Sequence, residues 1–144
     1  MNRNKAVGTE FERRARGYFR EWTGLDVGRR GLAGAADEGD LALTVAGEPV
    51  AVECKSFFTR GDDGSDHKRN MAGWCDEAAR EAANLGTSWW VLLHKRGNAS
   101  DHEQYATTSW RVLAALVTEV EAAHGLIEEL TRENKVLKEV IHGE

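Results

Sequence analysis

The chain has 144 residues, enough for one compact domain with an extension, and its 41% hydrophobic and 30% charged residues are the balance of a globular protein. No stretch approaches the roughly 18 apolar residues of a membrane span. The Met-Asn-Arg-Asn-Lys start carries no signal-peptide pattern, and Cys54 and Cys75 are too few for a disulfide framework or a zinc cluster. The expectation is a protein of a reducing cytoplasm, with no membrane partner and with both cysteines as buried small hydrophobes. The net charge of −5 is unevenly spread: residues 119–144 carry seven acidic and three basic side chains, whereas the first thirty residues carry eight basic and four acidic ones. A nucleic-acid partner is therefore neither excluded nor supported by charge alone.

In chain order, Phe11, Ala15, Tyr18, Phe19 and Trp22 recur at helical spacing and predict an amphipathic helix over residues 5–22. Residues 25–30 read as a short strand, followed by a small-residue loop that ends in Asp37-Glu-Gly-Asp40. Leu41, Leu43 and Val45 alternate with Ala42 and Thr44, and Val50, Val52 and Cys54 alternate after the turn chemistry of Ala46-Gly47-Glu48-Pro49. The pair predicts a hairpin. After a polar, Gly-rich stretch at 59–69, the residues Met71, Trp74, Cys75, Ala78, Ala82 and Leu85 mark a second amphipathic helix stopped near Gly86. The apolar run 89–94 reads as a buried strand, 105–108 as a short one, and Ser109 as the N-cap of a long final helix. The order α-β-β-β-α-β-β-α predicts an α/β fold with a mixed sheet flanked by helices. Residues 1–108 form the domain and residues 109–144 a separate helical arm.

Chemistry concentrates on the hairpin. Glu53 and Lys55 are two apart on one strand and so point to the same face, with the small Ala51 beside them. Asp40 opens the partner strand, and Ala42 follows on its face. A carboxylate pair beside an ammonium suits one or two hard divalent cations, Mg²⁺ or Mn²⁺, held by Asp40, Glu53 and the backbone carbonyl of Cys54. Such an ion makes water nucleophilic near neutral pH and offsets charge on a phosphodiester. Lys55 would orient the attacking water and either help deprotonate it or stabilise the hydroxide. The first helix adds a carboxylate. Glu12 lies roughly 75° from the centre of its apolar stripe and Glu10 roughly 125° away on the other side, so Glu12 is expected to reach the site while Glu10 faces water. Asp37 is expected to shape its loop. His67 is a candidate proton donor, and Trp89 and Trp90 are expected in the core and at its boundary.

The pattern Gly8-x-x-x-Glu12-Arg13, Gly39-Asp40 and Glu53-Cys54-Lys55 resembles the PD-(D/E)XK nuclease superfamily. Within it, the pattern is most similar to archaeal Holliday-junction resolvases and small phage-encoded resolvase-like nucleases. The likeness runs through Trp74, Glu77-Ala78 and His94-Lys95-Arg96-Gly97, over roughly residues 5–108. Gly39 stands where the superfamily's proline precedes the aspartate. The resemblance implies a restriction-endonuclease-like fold, Mg²⁺- or Mn²⁺-dependent cleavage of branched DNA and a catalytic set of Glu12, Asp40, Glu53 and Lys55. It leaves open another nuclease of the same superfamily, restriction-type, repair or exonucleolytic, and a non-catalytic docking protein on the same fold. Arg13, Arg16, Lys68, Arg69, Lys95 and Arg96 are the candidate phosphate contacts, with Arg14 a further one.

In the arm, Leu113, Leu116, Val120, Ala123, Ile127, Leu130, Asn134, Leu137 and Ile141 alternate in steps of three and four. The a positions hold Leu, Val, Ile, Asn and Ile, and the d positions Leu, Ala, Leu and Leu. β-Branched residues at a with Leu at d favour a parallel two-stranded coiled coil, and a single Asn at a fixes its register. Glu133 at g can meet Lys138 at e of a second chain. The expectation is a homodimer, which would place two active sites in symmetry for cutting two strands.

Overall fold

The computed structural model describes residues 3–31, 37–56, 71–97 and 99–143, with side chains from residue 6 onward. The chain divides into two compact units, Met1–Thr108 and Ser109–Glu144.

The first unit is an α/β structure with a five-stranded mixed sheet. Helix α1 spans Arg3–Thr23, strand β1 Gly28–Arg29, β2 Leu41–Val45, β3 Glu48–Lys55, helix α2 Met71–Asn84, β4 Trp90–His94 and β5 Tyr105–Thr107, with a 3-10 turn at Asp101–Glu103. The strands lie in chain order, β1-β2-β3-β4-β5. The β3–β4 pair is parallel and the other three are antiparallel. A parallel neighbour requires a crossover, and α2 lies within it.

The hairpin turn is tighter than the sequence suggested. Val45 faces Glu48, leaving a two-residue loop in which Ala46 (φ 51°) and Gly47 (φ 85°) both adopt the left-handed conformation. Two positive φ values give the primed turn whose twist matches antiparallel strands. Glu48 and Pro49 therefore belong to β3. Pro49 is tolerated because it pairs with Thr44 of β2 and precedes Ala51, where pairing with β4 begins. The strand expected over 25–30 contracts to Gly28–Arg29, opposite Ala42 and Leu41.

Both faces of the sheet are covered. On one, Phe11 of α1 packs with Leu41, Leu43, Val50, Val52, Cys54, Leu93 and Val27, flanked by Ala15 and Phe19. On the other face lie Ala51 and Leu92, both fully buried, and Glu53, beneath the α2 face that buries Ala78, Glu81 and Ala82. The expectation that Trp22 belongs to the buried stripe of the helix is corrected. Trp22 is 62% exposed, and its ring lies 4.9 Å from that of His102 at the 3-10 turn. Phe11, Ala15 and Phe19 define the stripe instead, because a bulky indole near the helix end is accommodated against the turn rather than under the sheet. Trp90 is buried and Trp89 packs against the core, as expected. Cys54 is buried, but Cys75 is only partly so.

The second unit is one helix, α3, over Trp110–His142. The Ser109 hydroxyl caps it by accepting from the Val112 N–H at 3.2 Å, and Gly143 ends it in the left-handed conformation. Apart from the buried Val112, much of its apolar surface is open to solvent: Leu113, Val120, Ile127, Leu130, Leu137 and Ile141 are all more than half exposed. No described helix is long and apolar enough to cross a membrane.

Candidate active site

The site forms where β2 begins and β3 ends. Gly39 has φ 95°, and a Cβ there would lie 3.0 Å from the Val52 carbonyl oxygen and 3.2 Å from its nitrogen. Glycine suits this position because the β3 backbone leaves no space for a side chain, and a proline, whose φ is fixed near −65°, could not adopt it. Asp40 is thereby clamped. Its N–H donates to the Val52 carbonyl (2.8 Å), its carbonyl accepts from Arg30 N–H (3.0 Å), and its Oδ2 accepts from the Cys54 N–H (2.8 Å). The carboxylate stands in for a main-chain acceptor at the end of the ladder, which fixes it against β3. Asp37 organises the approach: its Oδ1 accepts from Gly39 N–H and its carbonyl from the Asn84 amide.

Glu53 is 6% exposed. Lys55 Nζ lies 2.5 Å from Glu53 Oε1 and 2.8 Å from Glu77 Oε2 of α2. Asp40, Glu53 and Lys55 thus converge, as the strand alternation implied. Glu12 is close enough to Asp40 for their charges to repel, and it pairs with Arg29 at 2.8 Å. Glu12 and Asp40 line one cavity of about 220 Å³ with Gly8, Arg29, Arg30 and Asp37. Glu10 points outward and pairs with the exposed Arg13.

Burial dominates the electrostatics. It lifts the Glu53 carboxyl to about 8, helped by the negative charge of Asp40 and opposed by Lys55. It also raises Asp40, against the Cys54 N–H and the Lys55 charge, and raises Glu12, reinforced by Asp40 and opposed by Arg29. Burial alone would lower the Lys55 ammonium, but its bonds to Glu53 and Glu77 outweigh that and hold it protonated. Lys55 is thus held as a cation that offers N–H donors to the two carboxylates. Cys54 is pushed up by burial and by the carboxylates of Asp40, Glu53 and Glu12, so it stays a thiol.

Two residues beside these were given no role at the site by the sequence reading. Glu77 and Glu81 stand four apart on α2, so they share a face. One ligand oxygen from each lies within 4.8 Å of one from Glu53. Burial, then Glu77, Asp37 and Asp40, lift Glu81 to about 7. The signal was present in the sequence: Glu81 falls inside the α2 apolar stripe, between Ala78 and Ala82, where a leucine would be ordinary.

The candidate phosphate contacts scatter. Arg13 and Arg16 line a cavity of about 190 Å³ with Thr9, Glu12 and Arg29, beside the carboxylates. Lys95 follows β4, its N–H donating to the Lys55 carbonyl, and it lines a cavity with Ala6, Arg14 and Ser56. Arg14 pairs with Asp101, and the Arg96 guanidinium stacks over Tyr105 at 5.6 Å. His67, Lys68 and Arg69 lie outside the described residues.

The donor set suits a hard divalent cation. The carboxylates of Glu53 and Glu81 are buried and that of Glu77 is partly so, and among the described residues Glu81 Oε2 has no hydrogen-bond partner. No protein-family model, curated protein or solved structure matches the chain.

Proposed function

We propose that the chain is a Mg²⁺- or Mn²⁺-dependent endodeoxyribonuclease with a restriction-endonuclease-like core, acting on branched DNA as a Holliday-junction resolvase. The observation that carries this reading is the meeting of Asp40, Glu53 and Lys55 at one end of the β2–β3 hairpin, with Glu12 of α1 beside them. When bound, the cation supplies a water of lowered pKa and a positive counter-charge for a phosphate. Asp40 and Glu53, with the Cys54 carbonyl, would hold it. Lys55 stays protonated and points its N–H donors at the attacking oxygen or at the charge building on the phosphate. Arg29, drawn to Glu12, and the neighbouring Arg13 and Arg16 offer guanidinium groups to the flanking phosphates.

The exposed heptad face of α3 supports a parallel coiled coil between two copies of the chain. An apolar stripe of that length facing water is costly until a second copy covers it, and two joined sites match a substrate with two strands to cut.

A panel of labelled four-way junctions and linear duplexes, with Mg²⁺ or with EDTA, tests the reading. Cleavage of the junction alone, lost with EDTA and lost in Lys55→Ala and Asp40→Asn with the fold retained, is expected. Equal cleavage of duplex and junction would replace the resolvase with another nuclease. Absence of cleavage on every substrate would leave a docking protein.

A further inference from the structure

We propose that Glu53, Glu77 and Glu81 hold a divalent cation of their own, so that Glu53 is shared between this ion and the one assigned to Asp40 and Glu53. The proposal deepens the nuclease reading, on which it rests for the role of the ion but not for its binding.

The first observation is the spacing. One oxygen from each of the three carboxylates lies within 4.8 Å of the others. Two oxygens bound to one ion at about 2.1–2.4 Å are separated by at most about 4.8 Å, so each pair lies within the span of a single ion, which would take the place between Glu53 and Glu77 that the Lys55 ammonium bridges. The second is a bare acceptor. Glu81 is 3% exposed, and its Oε2 is buried without a hydrogen-bond donor among the described residues. A carboxylate removed from water and left unpaired is among the costliest arrangements in a protein, and it persists where a ligand completes it.

The third is the charge balance. Among the described residues Lys55 reaches Glu53 and Glu77, but no hydrogen bond reaches Glu81 Oε2. Of those residues, one ammonium therefore serves a cluster that also feels the charge of Asp40. Solvation of exposed acids does not account for the arrangement, because the helix turns Glu81 inward with Ala78 and Ala82. An ion shared through Glu53 would create a pair able to act on both the attacking and the leaving oxygen of a phosphodiester.

Titration of the EDTA-treated full chain with Mn²⁺ in the absence of DNA, followed by the loss of the free-ion electron-spin signal, counts the sites. The wild type is expected to take up two ions per chain. Glu81→Gln and Glu77→Gln are each expected to take up one, with affinity for the lost ion reduced at least tenfold. Asp40→Asn should also bind a single ion, and circular dichroism checks each variant's fold. Glu77 sits at the margin of the cluster with a 34% exposed side chain, so its variant keeps the test open if Glu81→Gln does not fold. One ion in the wild type, or two that neither α2 substitution disturbs, would overturn the proposal. Two ions with no cleavage of any DNA would sink the nuclease reading and leave this site standing. Cleavage with a single ion indifferent to Glu77 and Glu81 would do the reverse.

Discussion

Replacing Glu81 by glutamine should stabilise the metal-free protein at alkaline pH and leave it nearly unchanged in acid. Glu81 is 3% exposed on the sheet side of α2, and burial with the nearby carboxylates lifts its carboxyl from the ordinary 4.5 to about 7. In the unfolded chain the group ionises near its ordinary value. Between the two values the folded state holds a proton that the unfolded state has lost, so stability falls as pH rises through this window and the loss is complete above about 7. A change from 4.5 to about 7 corresponds to about 3 kcal/mol, and relaxation around the charge brings the usable figure to between about 1 and 3 kcal/mol. Glutamine has the shape of the protonated acid and never charges. The stability difference between Glu81→Gln and wild type should therefore be near zero at pH 4.5 and grow to about 1–3 kcal/mol by pH 8. At roughly 4 °C per kcal/mol for a domain near 100 residues, this is a rise of about 4–12 °C in Tm. Thermal unfolding in EDTA at fixed protein concentration and three pH values measures it, and saturating Mg²⁺ should shrink the difference by stabilising the wild type more. A difference that does not change with pH, or a variant less stable than wild type at pH 8, would refute the argument that Glu81 is held against its charge.

Two further substitutions test the framework of the site and of the arm. Gly39→Ala, with φ 95° and the Val52 backbone 3.0 Å from the new Cβ, should cost about 2 kcal/mol or more in urea unfolding and lower metal affinity by displacing Asp40; a loss below about 0.5 kcal/mol would mean the approach to β3 is not tight. Asn134→Val should strengthen self-association by at least about tenfold, since burying a valine contributes about 1.5 kcal/mol, and should broaden the distribution of oligomers seen by sedimentation. A monomeric wild type at every concentration would end the coiled-coil reading.

Much of the first unit was legible because alternation and helical spacing are read directly from residue type. Leu41, Leu43, Val50, Val52 and Cys54 announced both strands of the hairpin and the face they bury, and the same parity placed Glu53 and Lys55 together. What was not legible depends on contacts distant in sequence. The contraction of the first strand to Gly28–Arg29 is set by where β2 offers partners, at Ala42 and Leu41. Trp22 was misplaced because a helix pattern gives angles, not the extent of the neighbouring sheet. The acidic face of α2 was overlooked because only the apolar residues of the stripe were weighed, when the position of Glu81 inside it was the informative feature. Strand parity does not tell which helix covers the Glu53 face; α2 does, which is what turns a strand carboxylate into a buried one.

Strand β3 joins stability to chemistry through parity alone. Its alternate residues Val50, Val52 and Cys54 enter the core beneath α1, while Ala51, Glu53 and Lys55 meet α2 on the opposite face. A slip of one residue would place the Glu53 carboxylate among Phe11, Leu41 and Leu93 and bring the valines against Glu77 and Glu81. Each exchange is unfavourable by the cost of a buried charge and the loss of apolar burial, so the register is held from both sides. The Oδ2 bond of Asp40 to the Cys54 N–H and the approach of Gly39 to Val52 fix the same register at the strand's end. Consequently the apolar layer does more than offset the carboxylates opposite: it determines which side chains can occupy the site. Substitutions at Val50 or Val52 that loosen the α1 face should therefore disturb the positions of Glu53 and Lys55 without touching either.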